Sequence, residues 1–218
     1  MHMSTSLIDA TEAFVKQRLA DETTGHNWWH AERVRNNARK LHEAEGGDWQ
    51  IIELAVLLHD VGDRKVIGAL EDDPSIARGF LQEQHVPEET IAAIMHIIEH
   101  MSYSKSLDKN DVEKSLEFHI VQDADRLDAL GAIGIARAFA FGGSRGRPLY
   151  DPSREAQEYA SAIAYKQSEG STLHHFEEKL FKLKDLLNTN AARQIAEYRE
   201  AYMREFVQRF LDEWSGIS

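Results

Sequence analysis

Three short stretches of this chain place imidazoles and carboxylates where apolar side chains would be expected. The first is His59-Asp60, directly after Ile51-Ile52-Glu53-Leu54-Ala55-Val56-Leu57-Leu58. That run is apolar around almost its whole circumference, so its last turn should be buried. An ionised aspartate there is costly unless it is paired or bound to a cation. A hydrogen-bonded Asp–His pair closing the helix would also meet that cost. The second stretch is Gln122-Asp123-Ala124-Asp125-Arg126-Leu127-Asp128, three carboxylates within otherwise apolar helical sequence. Asp125 and Asp128 are three apart and share a face, where like charges repel, and aspartate is a poor helix-interior residue. A salt bridge to Arg126 or another neighbour would relieve them, as would a cation facing Asp125. The third stretch, His26-Asn27-Trp28-Trp29-His30, sits at a helix entry, where imidazoles either face a cavity or lie at the surface. Together, two imidazoles and two carboxylates suit one divalent ion of borderline hardness. Mn²⁺ is favoured, with Fe²⁺, Ni²⁺ or Zn²⁺ as alternatives; Mg²⁺ would prefer more oxygen.

Helical periodicity supplies the elements that must position these groups, and strand alternation is nearly absent. Leu7, Ile8, Phe14, Val15 and Leu19 predict a helix over about 5–20. A second runs from Trp29 to about Glu45, closed by Gly46-Gly47. Asp48 caps a third through Leu58, with Gly62 beyond it. Asp73-Pro74 opens a fourth, with proline at the first helical position, and Pro87-Glu88-Glu89 opens a fifth. A long helix is expected from Val112 to Phe141. Gly142 to Pro152 reads as a loop, followed by helices over Thr172–Leu187 and Ala191–Glu213. With no repeat and no linker, the expectation is one all-α domain over 1–218, its core about 20–140 and its C-terminal helices about 153–215.

A formal net charge of −12 repels nucleic-acid backbone and anionic membrane, which disfavours both as partners. It leaves open a small phosphate ester, because a local cation inverts the field within one pocket. With no cysteine, thiolate metal sites, disulfides and cysteine nucleophiles are excluded. No apolar run reaches membrane-spanning length and the N-terminus lacks a basic-then-apolar signal, so a cytoplasmic location is expected. A monomer or homodimer is the expected assembly.

The series His30, His59-Asp60, Asp125 resembles the HD superfamily of metal-dependent phosphohydrolases. The resemblance is carried by His-x-x-Arg-Val at 30–34, Leu-Leu-His-Asp-Val-Gly at 57–62 and Ala-Asp-Arg-Leu-Asp-Ala at 124–129, and spans roughly residues 20–140. It implies metal ligation by His30, His59, Asp60 and Asp125. It also implies a role for Asp63, where related enzymes carry an acid that orients or deprotonates the attacking water. The cyclic-dinucleotide branch has lysine there and a His-His-Glu run, whereas this chain has His100-Met101-Ser102; that points to a mononuclear site. The C-terminal run from Leu173 to Leu180, with Lys182-Leu183-Lys184-Asp185 after it, resembles a bacterial subgroup similar to nucleoside-triphosphate pyrophosphohydrolases. Cleavage of a nucleoside or deoxynucleoside triphosphate to monophosphate and pyrophosphate is therefore expected. The alternatives are a nucleoside monophosphate phosphomonoesterase and a non-catalytic, metal-binding nucleotide sensor.

Positive side chains should hold the phosphates. Lys65 and Lys105 are the first candidates, then Arg145 and Arg147, with His96 and His100 lining the pocket; each also reads as an ordinary solvated charge. Trp28 and Trp29 could stack a nucleobase, or pack in the core. A rival pattern, His96-Ile97-Ile98-Glu99-His100, fits the inverted-zincin peptidase motif. It has no evident third ligand downstream.

Overall fold

The computed structural model describes residues 6–20, 25–103, 112–157 and 170–217. Its elements are α1 (Leu7–Arg18), α2 (Trp28–Glu45), α3 (Trp49–Leu58), α4 (Arg64–Ile67), α5 (Ser75–Glu83), α6 (Glu88–His100), α7 (Leu116–Asp128), α8 (Gly131–Ser144), α9 (His174–Glu178) and α10 (Asn190–Trp214). Two 3₁₀ turns, Leu180–Lys182 and Lys184–Leu186, join α9 to α10. The all-α expectation holds: no strand occurs among the described residues.

Helix α3 is the central post. Ile52 to Leu58 are all buried, and the helix is surrounded by α1, α2, α6 and α7. Such a helix must be apolar on every side, as the sequence is. Its one interior acid, Glu53, is placed beside Arg35 at 3.6 Å. Helix α2 packs along α7 and α3, burying Ala31, Val34, Ala38 and Leu41. Asn27 caps α2 by accepting from the Trp29 and His30 amides at 3.1 and 3.3 Å, which fixes the first turn and with it His30. Asp48 caps α3 as expected, accepting from Gln50 and Ile51.

Gly62 follows α3 at the point where the chain bends toward α4. A Cβ there would lie 2.1 Å from the Asp73 carbonyl oxygen, and the two residues are joined by the Asp73 amide donating to the Gly62 carbonyl at 2.8 Å. Only glycine admits that approach. Pro74 stands at the cap of α5 rather than inside it, one residue from the expected place.

The long helix expected over 112–141 is two helices. α7 ends at Asp128, and α8 starts at Gly131, whose φ of +75° lies in the left-handed region. A glycine with that backbone angle stops one helix and redirects the next. α8 then runs on to Ser144, into what reads as loop. The expected helix over Thr172–Leu187 is also broken into α9 and the two 3₁₀ turns, with Lys179 between them at φ −137°, ψ −55°.

The 25-residue α10 closes the molecule against α7, α8 and α2. Its start is fixed by Asp123 on α7. That buried carboxylate accepts from the Asn188 and Thr189 amides at 2.9 and 2.7 Å and from the Thr189 hydroxyl at 2.9 Å. Further along, Arg199 donates to the Leu127 carbonyl and to Asn37. Phe139, Phe176, Phe206 and Phe210 pack ring on ring beneath α10. No helix of the described residues is long and apolar enough to cross a membrane.

Candidate metal centre

The ends of α3 and α7 and the start of α2 meet at one point. His30 Nε2 lies 3.4 Å from Asp60 Oδ2 and 3.4 Å from Asp125 Oδ1. It lies 3.2 Å from His59 Nε2, which is itself 3.3 Å from Asp60 Oδ2. Ligand-type atoms of His30, His59 and Asp125 all fall within 4.8 Å of one another, as do those of His26, His30 and Asp60. His30 and His59 are buried in the protein, whereas the Asp125 side chain is 33% exposed and opens the cluster to a cleft.

The imidazoles are oriented from behind. His30 donates from Nδ1 to Asp128 Oδ2 at 2.7 Å, and His59 donates from Nδ1 to the Val56 carbonyl at 2.7 Å. With both Nδ1 atoms carrying the proton, both Nε2 lone pairs face the two carboxylates, the arrangement in which imidazoles ligate metals. Asp128 is in turn gripped by Arg33 (2.7 and 3.0 Å) and Arg137 (2.7 Å). Two lone pairs 3.2 Å apart repel unless a cation stands before them. Neighbouring ligands each about 2.0–2.2 Å from a single ion have this separation, so the donor set fits a divalent metal.

The electrostatics agree. Burial alone would lower the His59 pKa, but the charges of Asp60 and Asp125 push it up to about 10. Burial would likewise raise both carboxyls. His59 and His26 instead hold Asp60 well below the usual range, and His30 and His59 do the same for Asp125. Without metal, the cluster therefore keeps its acids ionised and takes a proton on His59. His26 joins from the side, donating from Nδ1 to Asp60 Oδ2 at 2.8 Å.

The cluster floors a cleft of about 1190 Å³. Asp63 lines it, as do His100, Arg145 and Arg147. Asp63 is held close to Asp60, its amide donating to the Asp60 carbonyl at 3.0 Å. His96 is not brought to the cleft: its Nε2 donates to the Glu113 carbonyl at 2.7 Å and its ring lies against Phe118, because that face of α6 turns toward the start of α7. Among the described residues, neither His96 nor His100 belongs to a metal-ligating group, so the peptidase pattern has no counterpart in space. Lys65 lies in α4, but its side chain, like the whole of Lys105, lies outside the described residues. Trp28 packs beneath Lys16, whose Nζ is 4.2 Å from the ring centroid. Trp29 is 65% exposed. Neither lines the cleft.

Sequence reasoning missed part of the cleft lining. Arg126, Arg137, Lys179 and His175 contribute to it, and they come from α7, α8 and the segment around α9. The Lys179 Nζ sits 4.9 Å over the Tyr103 ring centroid. Burial, with Arg137 and Arg126 nearby, lowers its pKa to about 8 against the pull of Asp125. The signal available was the His174-His175-Phe176 run beside Lys179, titratable groups amid apolar sequence.

A family model for the HD domain matches residues 28–130, the stretch that carries His30, His59, Asp60 and Asp125. The Bacillus subtilis protein YpgQ is 38% identical over 207 residues, covering 94% of this chain and 92% of its own length. A solved Lactobacillus plantarum structure superposes with a TM-score of 0.88 at 39% identity, covering 99% of this chain and all of the other. An HD-superfamily hydrolase from Bacillus thuringiensis superposes at 0.73 with 44% identity, covering 95% of this chain and 96% of that one. The crystal structure of YpgQ in complex with ADP superposes at 0.76 with 33% identity, over 97% of this chain and all of YpgQ. This chain belongs to the HD superfamily of metal-dependent phosphohydrolases.

Proposed function

We propose that this enzyme hydrolyses nucleoside triphosphates, deoxynucleotides included, between the α and β phosphates, giving a monophosphate and pyrophosphate. The observation that carries this reading is the polarity of the cleft. Histidines and carboxylates able to hold a metal share its lining with Arg126, Arg137, Arg145, Arg147 and Lys179. A polyphosphate needs both: a metal at the reacting phosphorus and cations along the rest. A nucleoside monophosphate carries too few phosphate oxygens to engage that many cations. The relative crystallised with ADP is consistent with a nucleotide in this place.

In this reading His30, His59, Asp60 and Asp125 hold the ion, with Mn²⁺ favoured because two imidazoles and two carboxylates balance nitrogen and oxygen. A divalent ion in such a site lowers the pKa of water and neutralises phosphoryl charge. Asp63, on the cleft beside Asp60, accepts the proton of the attacking water. The water oxygen bonds to the α phosphorus, and the bond from that phosphorus to the α–β bridging oxygen breaks. The electron pair leaves with pyrophosphate, whose added charge faces the cationic wall. Asp128 keeps His30 in its ligating tautomer throughout.

The test is a panel of nucleoside mono-, di- and triphosphates with Mn²⁺, resolving pyrophosphate from orthophosphate. Pyrophosphate in one-to-one yield with nucleoside monophosphate is the expected result. Orthophosphate released from monophosphates, with triphosphates untouched, would replace this reading with a phosphomonoesterase.

A further inference from the structure

We propose that Lys179 and Arg147 form a two-step polyphosphate track leading away from the metal cluster. Lys179 takes the phosphate next to the reacting one and Arg147 takes the terminal one. The inference rests on the proposed function only for where the reacting phosphate sits.

Arg64 aside, charge in the cleft is segregated along the chain. The acids that line it, Asp60, Asp63, Asp72, Glu99 and Asp125, all precede Arg126 in sequence. From Arg126 onward every ionised lining side chain is a cation. In a molecule of net charge −12, a wall of one positive sign is a local inversion that favours an anion.

The wall also has an order. Lys179 interacts electrostatically with Asp125 in the cluster and with Arg126 and Arg137 beside it. His175, one turn earlier, feels the charges of both Lys179 and Arg147. The backbone sets the order of this wall: the segment after Arg147 is bonded to Thr172 and Leu173, and His175 and Lys179 follow one helical turn apart, the Lys179 amide donating to the His175 carbonyl at 3.1 Å. Lys179 stands where α9 has ended and the backbone leaves helical angles, and its ammonium reaches the cleft over Tyr103. Arg147 is anchored through its amide, which donates to the Gly142 carbonyl at 2.9 Å. Its guanidinium lies 5.8 Å from the Phe141 ring, which Arg145 approaches to 5.5 Å.

These two segments form one surface. The Thr172 and Leu173 amides donate to the Pro148 and Leu149 carbonyls at 3.0 and 2.9 Å, tying the loop of Arg147 to the lead-in of α9. Both cations lie beyond residues 28–130, the span the HD domain matches. The common domain thus supplies the metal side and the C-terminal segment supplies the ruler that measures phosphate-chain length.

The test uses the full-length, Mn²⁺-loaded protein and calorimetric binding of inorganic phosphate, pyrophosphate and tripolyphosphate, so that no turnover is needed. Affinity should rise along that series. Lys179→Gln should weaken pyrophosphate and tripolyphosphate by about tenfold or more, the loss expected for one charge-assisted contact. Arg147→Gln should weaken tripolyphosphate by about tenfold and phosphate by less than about twofold. Arg209→Gln, on the exposed side of α10 and paired with Glu205, should change none of them. Mn²⁺ content and melting temperature verify each fold. Should Lys179→Gln fail to fold, Lys179→Arg must keep pyrophosphate affinity within about threefold. Wild-type binding of all three anions by both glutamine variants overturns the proposal, as does equal loss across the three. An intact affinity ladder in a protein that turns over no nucleotide supports the track and refutes only the proposed reaction.

Discussion

Asp60 and Asp63 lie three residues apart in different surroundings. Asp60 is buried among His26, His30 and His59, so Asp60→Asn should remove bound divalent metal and activity together while circular dichroism keeps its helical signal. Normal metal content with full activity would refute that role. Asp63 lines the cleft beside the cluster; Asp63→Asn should keep metal stoichiometry and lower kcat by about 100-fold, the scale of a lost general base. Parallel loss of metal and rate would make it a ligand instead. The raised His59 pKa has a sign that can be tested. Asp60 and Asp125 push its pKa up to about 10, so a metal bound by that imidazole would displace a proton, and apparent affinity should climb as pH rises across the neutral range. Calorimetry in two buffers of different ionisation enthalpy reads the proton released. The same proton stabilises the metal-free fold: its contribution is complete below about 6.5, the unfolded value, and is lost as pH rises through about 10. His59-Asp60 and Asp125 were legible in the sequence because ionisable groups in apolar helices are costly without a partner. Lys179 was not, because a lone lysine in sequence looks the same whether it faces water or a cleft.

Helix α7 carries three aspartates with three fates. Asp125 faces the cluster, Asp128 orients His30, and Asp123 fixes the start of α10. Asp123→Ala would strand the buried Thr189 amide and hydroxyl and the Asn188 amide. It should destabilise the fold by about 3–5 kcal/mol, as when one partner of a buried polar cluster is removed. Chemical denaturation measures this, and the folded fraction should still bind metal in full stoichiometry; loss of metal at unchanged stability would reverse the assignment. The sequence showed three acids on one helix, and Asp128 as one that a salt bridge could satisfy, but which acid met which partner depended on elements over 60 residues away. The break at Gly131 was hidden for a related reason. Apolar periodicity continues through it, and only the left-handed backbone angle separates one helix from two.

Across the whole molecule, α10 is joined to the helices that carry the His–Asp cluster by Asp123, by Arg199 on the Leu127 carbonyl and Asn37, and by Ala191 donating to Glu45. We therefore propose that the chain folds as one unit. Far-ultraviolet dichroism and tryptophan fluorescence should report one coincident thermal transition, and deleting 188–218 should abolish it rather than trim it. Two separated transitions would divide the chain into domains. One residue inserted into α7 would turn everything beyond it by about 100°, swinging Asp125 away from His30 and Asp128 off its imidazole if placed just before Asp125. Placed before Asp123, the same insertion would also release the foot of the final helix. The spacing within this helix thus serves three fits at once: the three carboxylates behave like the wards of a key, cut for separate tumblers but turning on a single shaft.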